Sequence, residues 1–246
     1  MPLLRLFLLG LLTLNLLAGC SLLPDEIDET KGWSAQKLYA KAKENLSEGN
    51  YERAIELYEK LEARYPFGRY AQQALLESAY AYYKYDEPDT AIATLDRFIK
   101  TYPQHPHLDY AYYLKGLVNF NRGRNLIDRF LPRDPSERDP GAARQSFFDF
   151  QTLVKRFPAS PYSKDATQRM LFLRNNLASY EVHVADYYMR RHAYVAAINR
   201  AEYVIEHFPR TPAVPDALEI LIRAYRILDL NDLAEDALRV YRLNYP

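Results

Sequence analysis

Residues 49–66 read GNYERAIELYEKLEARYP, a stretch that combines a turn, an amphipathic segment and a closing proline. Apolar side chains recur at Ala54, Tyr58 and Leu61, which is the three- to four-residue spacing of one helix face. The Gly-Asn pair at its start is typical of a turn, and Pro66 cannot continue a helix. The stretch therefore predicts one helix with a defined beginning and end.

The same pattern recurs along the chain. Aromatic-proline pairs stand at Tyr65-Pro66, Tyr102-Pro103, Phe157-Pro158, Phe208-Pro209 and Tyr245-Pro246, at intervals of 37, 55, 51 and 37 residues. Twelve residues before each proline stands a small residue, namely Ala54, Ala91, Ser146, Ala197 and Ala234. Eight residues before it stand Tyr58, Leu95, Phe150, Ala201 and Leu238, of which only Ala201 is small. A fixed period of this kind predicts a repeat architecture.

A second helix is predicted upstream in each unit, because the small residues Ala42, Ala79 and Gly116 recur at intervals of 37. They mark positions where two helices approach too closely for a larger side chain. The arrangement resembles the tetratricopeptide repeat, which implies an all-α solenoid of five helix-turn-helix units with a concave groove. The predicted units are 34–66, 67–103, 104–158 with an insertion at 121–141, 159–209 and 210–246.

The first 20 residues predict export and lipidation. Arg5, the leucine-rich run that follows it and Ala18-Gly19 have the order of a signal peptide, predicted as 1–19. The segment is too short for a transmembrane helix. Leu17-Ala18-Gly19-Cys20 resembles the bacterial lipobox, which implies diacylglycerol and an N-acyl chain on Cys20, the sole cysteine. Residues 20–33 are predicted to form a flexible tether, and Ser21 favours the outer membrane.

Composition excludes some partners and favours helices. Lys and Arg number 32, as do Asp and Glu, and this balance argues against nucleic acid. The chain has 22 tyrosines and only 8 glycines, which favours helices over tight-turned sheets.

The concave wall of such arrays is lined by the first helix of each repeat, which allows a peptide groove to be predicted by register. Its side chains are Tyr39, Lys43, Gln73, Tyr80, Tyr83, Lys84, Tyr110, Tyr113 and Phe120. Tyrosine rings with a few amides and ammonium groups suit an extended peptide that carries aromatic residues. For each single tyrosine, the alternative is a place in the core between repeats.

An enzyme is not expected. Ser34-x-x-Lys37 fits a β-lactamase nucleophile motif, but its Ser-Asp-Asn and Lys-Thr-Gly partners are absent from the sequence. His105-Pro106-His107 follows a helix-ending proline and is more simply a loop than a metal site. We predict no catalytic residue, no metal and no cofactor apart from the acyl chains.

Longer strings bring a more specific resemblance, to the BamD family of outer-membrane lipoproteins. They are Arg64-Tyr65-Pro66-Phe67-Gly68, Ala79-Tyr80-Ala81-Tyr82-Tyr83-Lys84, Asp96-Arg97-Phe98-Ile99, His105-Pro106, Asp109-Tyr110, Arg138-Asp139-Pro140, Tyr180-Glu181, Val184-Ala185, Tyr187-Tyr188, Arg191 and Asn199-Arg200. The resemblance implies a scaffold at the periplasmic face of the outer membrane, within the β-barrel assembly machine. Its implied partners are a POTRA domain of the barrel protein BamA, other Bam lipoproteins and the β-signal of unfolded outer-membrane proteins.

Carried over by position, the family's arginine that meets a POTRA carboxylate falls on Arg200, with Tyr187 and Arg191 as weaker candidates. A docking role is also predicted for the insertion at 121–141, with structural buttressing of the array as the alternative. The alternative function is a lipoprotein adaptor for another envelope system, such as a pilotin or an adaptor for peptidoglycan enzymes.

Overall fold

A computed structural model describes residues 28–122, 136 and 140–245. The predicted signal peptide, Cys20 and most of the insertion at 121–141 lie outside the described residues. The chain divides into a short unit that ends at Ser34 and a large unit that begins at Ala35. Within the short unit, residues 28–34 form hydrogen-bonded turns, in which Thr30 donates to the carboxylate of Asp28.

Within its described residues, the large unit is built from ten α-helices and no strand. They are α1 Ala35–Glu48, α2 Tyr51–Arg64, α3 Arg69–Lys84, α4 Pro88–Thr101, α5 Leu108–Asn121, α6 Pro140–Arg156, α7 Ser163–Arg190, α8 Tyr194–His207, α9 Val214–Ile227 and α10 Asn231–Asn244. Each helix packs against the next one along the chain, and α1 also packs on α3, α3 on α5, and α7 on α9. The helices form five consecutive pairs, which confirms the predicted all-α solenoid of tetratricopeptide type.

The small positions of the repeat lie where helices touch. Ala42 and Ala79 are fully buried. At Gly116 a Cβ atom would stand 2.5 Å from the ring of Phe150, so α5 and α6 approach at a distance that only glycine permits. Ser146 on α6 donates to the carbonyl oxygen of Gly116 at 2.9 Å, which fixes the same contact. The periodic small residues therefore set the spacing within each pair.

Within the part of the chain that the structure describes, four helix pairs have a left-handed residue in the turn between their two helices. It stands two positions before the second helix, at Gly49, Asp86, His192 and Asp229, with φ between 58° and 83°. Glycine adopts this conformation freely, and Asp and His are among the residues that adopt it most often after glycine. These turns therefore share a backbone conformation, but only in the first unit does a glycine mark it in the sequence.

Repeat four departs from the others through the length of its first helix. α7 has 28 residues, twice the 14 of α8. The core lies between the layers of helices, and its largest fully buried side chains include Tyr58, Phe98 and Phe150.

Candidate binding groove and docking face

The amino-terminal repeats meet at the carboxylate of Glu77 on α3. Tyr39 from α1 donates its hydroxyl to Glu77 Oε1 at 2.7 Å, and Tyr58 from α2 donates to Oε2 at 2.5 Å. Lys43 Nζ lies 3.4 Å from Oε1. Burial, together with the bond to the carboxylate, raises the pKa of Tyr58 far above its usual range. Two tyrosines and one lysine from two helices are therefore oriented by a single acid.

A cavity of about 560 Å³ opens beside this cluster. The residues that line it include Lys43, Glu77, Tyr80, Tyr110 and Tyr162. The Tyr110 and Tyr162 rings lie 5.5 Å apart, centre to centre. The lining combines aromatic rings with charged groups, a composition that can hold the ring of a peptide side chain.

The structure therefore brings three of the nine predicted groove residues into one cavity, and a fourth, Tyr39, donates a hydrogen bond to Glu77 in the lining of that cavity. Tyr83 accepts a hydrogen bond from Asn121 at 2.7 Å, and Lys84 lies over the ring of Tyr51. Gln73 is exposed. These side chains belong to the same helix face without lining the cavity.

Tyr113 and Phe120 lie further along, against α7. Tyr113 stacks on Tyr162 with 4.7 Å between centroids and donates to Asp165 at 2.7 Å. The guanidinium of Arg169 lies 4.8 Å from the centroid of Phe120. Tyr113 and Phe120 therefore join repeats three and four. For Tyr113 this is the alternative stated above, a place in the core between repeats.

Sequence reasoning missed Glu77 and Tyr162. Glu77 stands four residues after Gln73 and three before Tyr80, so the helical register that selected those two also includes it. Tyr162 precedes α7 and follows a Ser-Pro pair, outside any first helix, so the register could not find it.

A second acid, Glu181 on α7, organises the other candidate surface. Its side chain is 1% exposed, and it accepts from Arg144 of α6 at 3.0 Å and from Arg200 of α8 at 2.9 Å. The two arginine side chains are 47% and 45% exposed. Each guanidinium has five N–H donors, so both retain donors for a partner after binding Glu181. Arg200 is therefore held by an ion pair while nearly half of its side chain stays exposed. Arg144 and Glu181, which the sequence did not single out, belong to the same cluster.

Tyr187 and Arg191, the weaker candidates, lie towards the end of α7. The Arg191 guanidinium lies 5.9 Å from the centroid of the exposed Tyr187 ring. Tyr187 lines a cavity of about 500 Å³ together with Tyr180 and His183. This cavity begins within one helical turn of Glu181.

His105 is a packing residue. Its ring meets Phe98 edge-on at 5.0 Å, and burial, with the neighbouring His107, lowers its pKa. Within the described parts of the chain, no group of three or more His, Cys, Asp or Glu side chains is placed to hold a metal ion. The helices described include none with the length and hydropathy needed to cross a membrane.

Fold and surfaces together define the class: an all-α protein of stacked helix pairs, with an aromatic cavity at one set of repeats and a basic face at another. The YfiO family, described as "Outer membrane lipoprotein", matches residues 32–240. Two relatives carry the name "Outer membrane protein assembly factor BamD". The protein of Neisseria meningitidis serogroup B is 49% identical over 217 residues, which are 88% of this chain and 81% of the relative. That of Vibrio cholerae is 40% identical over 235 residues, 96% of each chain.

The chain belongs to this family of outer membrane lipoproteins, with BamD proteins as its relatives. Among solved structures, the crystal structure of MamA aligns with 85% of this chain and 88% of its own, at 17% identity and a TM-score of 0.40.

Proposed function

We propose that this chain is a non-catalytic scaffold for outer-membrane protein assembly, as the names of its relatives state for them. It docks on a POTRA domain of the barrel protein BamA, works beside other Bam lipoproteins and receives unfolded outer-membrane proteins. The observation that carries the proposal is the pair of half-exposed arginines held by the buried Glu181. A scaffold needs fixed recognition surfaces, and this one is fixed by two ion pairs across three helices.

The docking partner is an acidic side chain. Arg144, Glu181 and Arg200 together carry a formal charge of +1, and the free guanidinium donors face outwards. Bidentate arginine–carboxylate pairs are stronger than neutral hydrogen bonds and fix geometry as well as affinity. A POTRA carboxylate that reaches Arg200 would therefore find a charge already oriented for it.

The aromatic cavity is the proposed substrate site. Tyr80, Tyr110 and Tyr162 offer ring faces, while Leu46 and Leu76 give an apolar wall. A β-signal peptide that carries an aromatic side chain fits a cavity of this size and lining. The proposed docking face lies on later repeats, so one chain can hold partner and substrate at once.

Cys20 is proposed to carry diacylglycerol and an N-acyl chain, which hold the scaffold at the periplasmic face of the outer membrane. Two or more acyl chains make a stable anchor where one gives only reversible binding. Metabolic palmitate labelling should disappear in Cys20→Ala. Label that persists in that variant contradicts the anchor.

Co-isolation with a POTRA-bearing barrel protein tests the docking face. Arg200→Lys keeps the positive charge beside Glu181 but removes the planar fork, and we expect it to lower recovery of the partner severalfold. Arg223→Lys is the matched control, because Arg223 is also a half-exposed arginine that pairs with an acid of α7. Equal recovery with both variants removes Arg200 from the interface.

Recovery of muramidases or pilins without a barrel protein would favour the alternative, an adaptor for another envelope system. Cross-linking in intact cells before isolation separates the two results.

A further inference from the structure

The cavity beside Glu77 contains one lysine, and that lysine is already paired. Among the described residues that line the cavity, Lys43 is the single lysine or arginine. Its ammonium lies 3.4 Å from Glu77 Oε1 and 5.6 Å from the centroid of the Tyr39 ring. The ammonium that could receive a peptide carboxylate therefore has a carboxylate of this chain beside it.

The neighbouring hydroxyl donors face the same acid. Tyr39 and Tyr58 both donate to Glu77, so neither proton is directed at the cavity. Tyr58 is fully buried, and the Glu77 side chain remains 25% exposed. An incoming carboxylate would meet the negative charge of Glu77 before it met an unoccupied donor of this cluster.

We propose that Glu77 makes this cavity select an aromatic side chain and reject the terminal carboxylate of a peptide. The inference rests on the proposed peptide groove and specifies which part of the peptide binds there. The occupant is an extended segment whose aromatic ring enters between Tyr80 and Tyr110, and the ring can stand within the segment as well as at its end. Glu77 is thus a specificity-determining residue, because its carboxylate pairs with the ammonium of Lys43 that could otherwise bind a peptide carboxylate.

The expected discrimination is modest because the pair is partly exposed. Like charges near a protein surface repel each other, and both Lys43 and salt screen part of this repulsion. A free peptide acid should accordingly bind about three- to tenfold more weakly than its amide.

Three fluorescent ten-residue peptides test this against the full mature chain in detergent. Each has alternating polar and apolar residues and one phenylalanine near its carboxyl end. The first ends in Phe as the free acid, the second ends in Phe as the amide, and the third continues for three residues after Phe and is amidated. Fluorescence anisotropy at pH 8 gives the three Kd values.

The wild-type chain should bind the amide and the extended peptide equally, and the acid three- to tenfold more weakly. Glu77→Gln keeps the side-chain shape but releases Lys43, so the acid should gain about tenfold relative to the amide. Lys155→Met is the control, because Lys155 is an exposed lysine of α6 that does not line the cavity, and its acid-to-amide ratio should equal that of the wild type. Ser47→Trp, at the cavity edge, should weaken all three peptides at unchanged Tm.

The inference is overturned if the wild type prefers the acid, or if Glu77→Gln leaves the acid-to-amide ratio unchanged. Weaker binding of the extended peptide than of the amide overturns it as well, since the site would then read a chain end. If a folded wild-type chain binds none of the peptides, the proposed groove itself is wrong and the inference fails with it.

Discussion

Glu77 in repeat two and Glu181 in repeat four each bind side chains of neighbouring helices, but the surfaces around them differ in charge and in aromatic content. Each acid stands on the first helix of its repeat and binds side chains from adjacent helices. Glu77 takes two tyrosine hydroxyls and one lysine, whereas Glu181 takes two arginines. Two tyrosines and a single cation around Glu77 leave an aromatic surface with balanced charge, and two cations around Glu181 leave an excess positive charge. The type of donor, rather than the acid, thus decides what each surface can bind.

Removing both arginines should give the largest effect, because Glu181 is 1% exposed and would be left without its cations. We expect Arg144→Ala with Arg200→Ala to lower the free energy of unfolding by about 3–5 kcal/mol, measured by urea denaturation. Adding Glu181→Leu to the pair should recover most of that loss, since no buried charge would remain. A double variant as stable as the wild type would show that the Glu181 cluster does not hold the fold.

The equivalent change at the tyrosine cluster should cost less. Glu77→Ala leaves the hydroxyl of the fully buried Tyr58 without its acceptor, a loss of about 1–3 kcal/mol. Adding Tyr58→Phe removes the orphaned hydroxyl and should restore part of the stability. Glu44→Ala, which removes an exposed acid paired with Lys41, is the control and should stay within about 0.5 kcal/mol of the wild type. A loss for Glu77→Ala as large as that for the pair Arg144→Ala and Arg200→Ala would contradict the comparison.

The left-handed turns of repeats two and five offer a change that touches neither cluster. Asp86→Gly and Asp229→Gly relieve positive φ values of 65° and 58°. We expect each to change stability by no more than about 1 kcal/mol, because the strain relieved is partly offset by greater freedom of the unfolded chain. Thermal unfolding gives the values, with unchanged peptide and partner binding as the control. A loss above that size would mean that the aspartate side chain stabilises the turn.

Asp165 on α7 binds one neutral and one cationic donor: it accepts from Tyr113 at 2.7 Å and from Arg169 at 2.6 Å. Partial burial acts to raise its pKa, but the bonds from Arg169 and Tyr113 outweigh burial and hold the pKa below its usual value. A lowered pKa stabilises the fold above about pH 4, and this contribution is lost as pH falls through the lowered value. Asp165 is 42% exposed, so Asp165→Asn should remove only a few tenths of a kcal/mol of acid-dependent stability. Urea unfolding at pH 7 and pH 3 measures it, and an unchanged difference between the two pH values contradicts the assignment.

The sequence predicts the fold well because its main signals are local and periodic. The prolines, the small positions and the first turn all report on contacts within one helix pair, and Gly116 against Phe150 is such a contact. The turns at Asp86, His192 and Asp229 were harder to see, since their backbone conformation is shared with Gly49 while their side chains differ.

The candidate sites are less accessible from sequence because they depend on which helices meet. Register selects a face of α1, α3 or α5, yet Tyr162 reaches the cavity from the segment between α6 and α7. Glu181 looks like a solvent-exposed acid beside Tyr180, and only the approach of α6 and α8 turns it into a buried anchor. In repeat four the register of the other repeats does not apply, because its first helix has 28 residues, whereas the first helices of the other repeats have 14 to 16.

Because α7 is one continuous helix, it also fixes the distance between the residues along it. The helix runs unbroken from Ser163 to Arg190, so the 16 residues from Asp165 to Glu181 span about 24 Å along its axis. An extended polypeptide covers that distance with about seven residues. Any ligand that contacts α7 near both Asp165 and Glu181 must therefore supply two recognition points separated by roughly one β-strand.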